Sequence, residues 1–211
     1  MKLDKLSCLV IGGGNVAERK LDLLVKANSN ITVVSPEFTP YITELSNKFK
    51  IKLLEENYNS SILSKKNYQF VIAATDDREL NMQVAKDCNQ KNILINVVDE
   101  PNLCDFIFPS ILERGDITIA VSTGGASPVL ARVLRTKLET MVPANYGKLA
   151  EIVSKNRIKV RKKMKKFSSN KIFWEKMLNS KFLELVLAGR NDDALAFLNH
   201  QIDNFDESVA N

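Results

Sequence analysis

Residues Gly12-Gly13-Gly14-Asn15-Val16-Ala17 follow the spacing G-x-G-x-x-A between an apolar run and a segment with helical periodicity. In such a turn the first glycine lets the chain reverse tightly, and the second lets backbone approach a pyrophosphate. The alanine lets helix and strand pack closely. A helix starting there offers unpaired N–H groups and a favourable dipole to phosphate oxygens. The chemistry is dinucleotide binding, with Gly12, Gly14, Asn15 and Val16 as candidate contacts. An acidic residue about 20 positions further on commonly holds the ribose hydroxyls. Here the second apolar run ends at Ser35-Pro36, with Glu37 after it. Ser35 and Pro36 are the candidate ribose contacts and NAD is the expected cofactor, although a serine does not repel a 2′-phosphate as a carboxylate would.

Three further segments carry polar groups where apolar runs end. Ala74-Thr75-Asp76-Asp77 offers Thr75 to the cofactor, while the aspartates are expected to cap the following helix. In Asn96-Val97-Val98-Asp99, an aspartate closing a buried strand beside a nicotinamide is placed to act as general base while a hydride leaves the substrate. The bland alternative is a turn residue before Pro101. Ser122-Thr123-Gly124-Gly125-Ala126-Ser127-Pro128 joins a strand to a helix. Ser127 and Pro128 form a strong helix start. Thr123, Gly124 and Gly125 are candidate substrate contacts, and purely structural use of this loop explains them equally well.

These residues must be positioned by elements, and the first half of the chain alternates them. Strands are expected over Leu6–Ile11, Ile31–Val34, Ile51–Leu54, Gln69–Ala74 and Ile93–Val98. Helices are expected over Val16–Ala27, Tyr41–Phe49 and Arg78–Asn89. That rhythm predicts an α/β fold, a Rossmann-type parallel sheet covered by helices. Phe106–Leu112 and Ile117–Ser122 read as a hairpin joined by Glu113-Arg114-Gly115-Asp116. From Ser127 the pattern is helical, punctuated at Pro143 and Gly147. The expected organisation is an NAD-binding domain over 1–112, a dimerisation segment over 113–146 and a helical C-terminal domain over 147–211, whose last stretch from Asp203 is polar and frayed.

Composition narrows the class. The chain has 211 residues, 45% hydrophobic and 26% charged, as in ordinary globular proteins. No apolar run is long enough to span a bilayer, and no signal-peptide pattern opens the chain. Three scattered cysteines fit a reducing compartment, so the expected location is the cytoplasm. His200, the single histidine, has no partner at metal-ligand spacing, and no metal site is expected. Cys104 reads as an inert thiol, and Trp174 as a packing residue. The net charge of +5 is concentrated in Arg157–Lys166, with seven basic residues and no acid. It reads as a solvated helix face or as steering for a polyanionic small molecule. It lacks the interleaved aromatics of a nucleic-acid surface.

Taken together, Ile11–Lys20, Ala73–Asp77, Asn96–Asp99, Phe108–Ser110 and Val121–Arg132 resemble, in order, the precorrin-2 dehydrogenase / sirohydrochlorin ferrochelatase family. That family also forms the N-terminal module of multifunctional sirohaem synthases. The resemblance implies a homodimer that oxidises precorrin-2 to sirohydrochlorin with NAD⁺ as hydride acceptor. It places Asp99 on the family's catalytic aspartate, and Gly12, Gly14 and Val16 on its cofactor loop. Thr123 falls where the sirohaem-synthase form carries a serine. Two points depart from or divide the family: it usually has a short lead-in strand before the first Rossmann strand, whereas this chain is expected to enter the latter almost at once, and only some members also insert ferrous iron. The competing class is an NAD(H)-sensing regulatory module without catalysis. Such modules normally carry an acid where Ser35 stands.

Overall fold

A computed structural model describes residues 3–164 and 166–205. Lys165 of the basic run and residues 206–211 of the polar tail lie outside them. The chain divides into two compact units, one running to Phe108 and one starting at Pro109.

In the first unit, β1 (Ser7–Ile11), β2 (Asn30–Ser35), β3 (Lys52–Glu55), β4 (Phe70–Ala73) and β5 (Leu94–Val97) form one five-stranded sheet. Its order is β3-β2-β1-β4-β5 and every pairing is parallel. The helices are α1 (Asn15–Lys26), α2 (Pro40–Lys48) and α3 (Arg78–Gln90). Because side chains alternate along a strand, β1 feeds two cores. Cys8 and Val10 pack on one face with Ala17, Leu21, Leu24 and Ile42; Leu9 and Ile11 pack on the other with Val84, Ala85 and Ile95. Burial on both faces is why β1 reads as an unbroken apolar run. The chain winds outward from β1 to β3, then returns to lay β4 against β1, so the switch in strand order lies between β1 and β4. Thr39 caps α2 and Asp77 caps α3 through side-chain oxygens, whereas the Gly14 cap of α1 has no side-chain hydrogen bond.

Burial pushes the Cys8 thiol well up, and it pushes the Cys88 thiol up to about 12. Both are packing residues of the sheet layers rather than nucleophiles.

In the second unit, β6 (Ser110–Arg114) and β7 (Ile117–Val121) pair antiparallel. They are followed by α4 (Pro128–Met141), α5 (Asn145–Lys163), α6 (Phe167–Leu178), α7 (Lys181–Leu187) and α8 (Asn191–Asp203). The last four helices share a core that includes Leu149, Val160, Phe173, Phe182 and Leu198. Trp174 packs at its edge, with its ring 5.4 Å from Phe173. His200 is exposed on α8.

Three local expectations are corrected. The first hairpin strand begins at Ser110, not Phe106. Phe106 is instead drawn onto Phe70 and Phe108 by edge-on ring contacts at 6.0 and 5.6 Å, and Pro109 has no N–H to pair. The reversal uses only Gly115-Asp116, with Gly115 at φ 58, as short hairpin loops demand. Gly147 does not interrupt the helical region but lies inside α5. A Cβ there would stand 2.9 Å from the Arg114 carbonyl, so this glycine is where helix and hairpin backbones meet. Gly147→Val should therefore destabilise the protein by about 1–3 kcal/mol, the usual cost of overpacking, read as a lower urea midpoint.

Candidate functional site

The carboxyl ends of the parallel strands bring four of the predicted segments to one edge of the first unit. Gly12 leaves β1 at φ 116, its N–H donating to the Val34 carbonyl at 2.9 Å. A Cβ at Gly12 would stand 2.3 Å from the Ala74 carbonyl oxygen, and one at Gly13 would stand 2.0 Å from that of Glu37. Gly14 differs: a Cβ there meets nothing within 4 Å. Gly12 and Gly13 thus let backbones approach inside the protein, while Gly14 keeps open space at the helix start. Gly14 and Asn15 are exposed, and Val16 is half-buried against the core. With no side-chain cap on α1, its first N–H groups are presented to whatever occupies that space. This arrangement fits a pyrophosphate, and a nicotinamide dinucleotide would supply a hydride acceptor there.

Ser35 ends β2 as a buried residue, and its hydroxyl lies beside Gly13. Pro36 and Glu37 are exposed. On the other side of β1, Thr75 follows β4. Its hydroxyl lies 2.8 Å from Asn81 Oδ1 and 3.1 Å from the Asp77 carbonyl, and Asn81 Nδ2 donates to the Thr75 carbonyl at 2.8 Å. The single Thr75 hydroxyl proton is therefore committed inside the protein, so toward a ribose this oxygen accepts. Asn81, which locks the threonine, was not legible in the sequence: only the turn of α3 brings it back onto Thr75. Of the two aspartates, Asp77 is the helix cap, accepting from the Leu80 N–H at 3.0 Å.

The turn after β5 is tied to the same edge, since the Val98 N–H donates to the Ala73 carbonyl at 3.0 Å. Asp99 does not close a buried strand: β5 ends at Val97, and Asp99 is exposed at φ 61. Left-handed backbone is disfavoured for residues other than glycine, with aspartate among the tolerated exceptions, and persists where surroundings fix it. Here they do. Cys104 Sγ lies 3.1 Å from both the N and the O of Val97, and Glu100 pairs with Arg78 at 2.6 Å. Cys104 thus serves as a staple of the turn.

In the second unit, Gly124 and Gly125 adopt φ 62 and 88. The Thr123 hydroxyl accepts from the Ser127 N–H at 3.0 Å and donates to the Ser127 carbonyl at 3.0 Å. Ser127 caps α4 through the Leu130 N–H at 3.1 Å. The Thr123 side chain thus closes its own loop, and the exposed Gly124 offers backbone rather than side chain. Among the described residues no group of three or more His, Cys, Asp or Glu side chains could hold a metal ion. Among them, too, no helix is long and apolar enough to cross a membrane.

The glycine turn, the uncapped helix and the switch in strand order define a dinucleotide-binding α/β unit. The family described as putative NAD(P)-binding matches residues 1–110, and this chain belongs to it. The sirohaem biosynthesis protein central region matches 114–141, and the sirohaem synthase dimerisation region matches 145–202. The chain is 43% identical over 208 residues to a siroheme synthase of Psychrobacter arcticus, covering 99% of this chain and 38% of that protein. It is 44% identical over 194 residues to one of Thioalkalivibrio sulfidiphilus, covering 92% and 39%. The chain thus spans about two fifths of the length of these curated relatives. In fold it is similar to the solved structure of SirC, precorrin-2 dehydrogenase, with a TM-score of 0.79 at 22% identity over 97% of this chain and 98% of that one. The resemblance drawn from the ordered motifs, to the N-terminal module of sirohaem synthases, is borne out by these matches, and the cofactor is a nicotinamide dinucleotide.

The different surroundings of two glycines make a discriminating test. Gly14→Asp should leave the urea midpoint nearly unchanged but weaken NAD⁺ binding at least about ten-fold, because its charge occupies phosphate space. Gly12→Ala should lower the midpoint, since its methyl has no room. Isothermal titration and urea unfolding of both variants read the two effects separately.

Proposed function

We propose that this chain is an NAD-dependent precorrin-2 dehydrogenase that oxidises precorrin-2 to sirohydrochlorin in sirohaem synthesis. The observation that carries the reading is the placing of the Asp99 turn beside the β4 loop, on the edge that begins with the glycine turn. Gly14 and the start of α1 would hold the pyrophosphate of a bound dinucleotide, and Ser35 and Thr75 would meet its ribose groups. NAD⁺ would supply the hydride acceptor for the substrate carbon beside the ends of β4 and β5. Asp99 accepts the proton released in the same two-electron oxidation, so the products are sirohydrochlorin, NADH and a proton. Exposure of Asp99 suits a base that must meet a bulky tetrapyrrole rather than a small substrate. Gly124 and Gly125 are assigned to substrate contact through backbone, with Thr123 shaping their loop.

NAD rather than NADP is the assigned cofactor, and the division into domains at 1–112, 113–146 and 147–211 belongs to the same reading. The three cysteines carry no disulfide, in keeping with a cytoplasmic enzyme. The partner is a second copy of the chain. Support comes from α4, where Val129, Leu130, Val133, Leu134 and Met141 stand 64, 49, 46, 40 and 70% exposed on a helix with only Ala131 buried. An apolar face of that kind is unusual on a monomer. Leu134→Asp should convert the dimer to monomer in sedimentation equilibrium.

The central test is anaerobic incubation with precorrin-2 and NAD⁺, following NADH and the sirohydrochlorin spectrum together. Both should appear, and ferrous iron added afterwards tests chelation. Asp99→Ala should cost about 100-fold or more in kcat, the scale of a lost general base, with NAD⁺ affinity preserved. Binding of NAD⁺ without turnover in the unsubstituted protein would instead favour the NAD(H)-sensing module.

A further inference from the structure

β5 stands at the edge of its sheet, beside β4. The backbone groups on the outer side of an edge strand have to find partners outside the ladder. Here the chain that returns after the Asp99 turn supplies them, largely from side chains. The Ile95 N–H donates to Asp105 Oδ2 at 2.9 Å, and the Asp105 N–H donates to the Ile95 carbonyl at 2.8 Å. Cys104 serves Val97 in the same way: its sulfur accepts from the Val97 N–H and its S–H donates to the Val97 carbonyl, both at 3.1 Å. Buried Asn96 donates through Nδ2 to the Phe106 carbonyl at 2.8 Å. Residues 104–106 thus stand in for a neighbouring strand.

The contacts differ in what they enclose. Asp105 ties the chain beyond the loop, whereas Cys104 closes the loop itself. Val97 is the last residue of β5, and the chain from there to Cys104 is the turn that carries Asp99. The Cys104 sulfur also lies 3.4 Å from the carbonyl of Glu100, the residue after Asp99. One atom therefore touches backbone on both sides of the residue held at φ 61, a conformation that persists only where surroundings impose it. The position calls for a small side chain that accepts and donates at a single atom, which a thiol or a hydroxyl does and a methyl does not.

We infer that Cys104 is a positioning residue for Asp99, its thiol bridging Val97 and Glu100 so that the turn presents the aspartate carboxylate in one place. The inference rests on the reading of Asp99 as the base and deepens it. Cys104 touches neither substrate nor cofactor in this role, and its sulfur is engaged by backbone rather than offered as a nucleophile. It acts through the backbone of the turn, which it holds against the end of the strand that reaches the dinucleotide edge.

The test uses the full chain with precorrin-2 and NAD⁺ under anaerobic conditions, for Cys104→Ala, Cys104→Ser, Asp99→Asn and the Cys104→Ala/Asp99→Asn double variant. Cys104→Ala should lower kcat by about 10- to 100-fold, the scale of a misplaced catalytic group, with the KM for precorrin-2 and the NAD⁺ affinity within about two-fold. Cys104→Ser, which keeps a donor and an acceptor, should recover most of that loss. The drop in urea midpoint caused by Cys104→Ala should be the same in both backgrounds. Its cost in kcat should vanish in the Asp99→Asn background, because residues acting as a unit are not additive.

Three results would overturn the inference: unchanged kcat in a folded Cys104→Ala while Asp99→Asn is strongly impaired, a Cys104→Ser variant no better than Cys104→Ala, or an equal kcat cost in both backgrounds. The first would leave Cys104 a structural part of the sheet edge and nothing more. Full activity of Asp99→Asn would remove the parent reading instead, and the inference with it. Should Cys104→Ala fail to fold, iodoacetamide carries the test, since Cys8 and Cys88 are fully buried and Cys104 is not. Labelling at Cys104 should lower kcat with NAD⁺ affinity kept, and unchanged turnover of the labelled protein would count against the inference.

Discussion

Gly12 is where β1 becomes α1 while its backbone lies against the carbonyl of Ala74 at the end of β4. No side chain fits between the two, and the positive φ of the glycine is what steers the chain over that contact. Everything that gives the edge a function follows from this approach. It permits β1 and β4 to be neighbours up to their last residues, with Ala74 donating to Ile11. It thereby fixes the loop holding Thr75 and, through the Val98 to Ala73 bond, the turn holding Asp99. Gly13 makes the corresponding approach toward Glu37. The three glycines are not equivalent: two build the crevice from inside, and the third leaves it open.

The scaffold beneath is stiff because the sheet is buried on both sides by different apolar sets. Several polar groups near it are paired, although Asn96 Oδ1 on β5 is buried without a hydrogen-bond partner. Asn81 satisfies Thr75, and Asp87, buried on α3, accepts from Tyr58 at 3.0 Å and Gln83 at 2.7 Å. Burial and the neighbouring Asp87 push the Tyr58 hydroxyl above its ordinary range, so it remains a donor to that carboxylate. Such pairing keeps buried polar atoms from opposing the fold. At the edge itself the rule is relaxed. The start of α1 lacks a side-chain cap, and Asp99 stays exposed in a strained backbone conformation. Departures of this kind gather where a protein meets its ligand.

The second unit obeys a different economy. Its last four helices share a core of their own, whereas α4 leaves Val129, Leu130, Val133, Leu134 and Met141 exposed. The close approach of Gly147 to Gly115 and Arg114 ties the hairpin to α5, so a weak two-stranded sheet gains a helix to lean on. The basic residues at the end of α5 include Arg161, Lys162 and Lys163 in its last turn, where they also complement the helix dipole.

Much of this architecture is written locally. Strand periodicity, the glycine spacing, Asp77 before α3 and Ser127-Pro128 before α4 each depend on a few adjacent residues, so the sequence by itself determined the parallel sheet, the dinucleotide turn and the helix starts. What reading residue by residue left open depends on distant partners. The Thr123 hydroxyl is spent within its own loop, Asn81 returns to Thr75, and Gly147 serves a backbone contact rather than a break. Asp99 is exposed in a turn instead of buried at a strand end, because Cys104 and the Arg78–Glu100 pair hold that turn. Periodicity records which face of an element is apolar, and it carries no information on which polar groups meet across elements. Only the tertiary structure decides that, since such pairs are set by how elements pack and not by spacing along the chain.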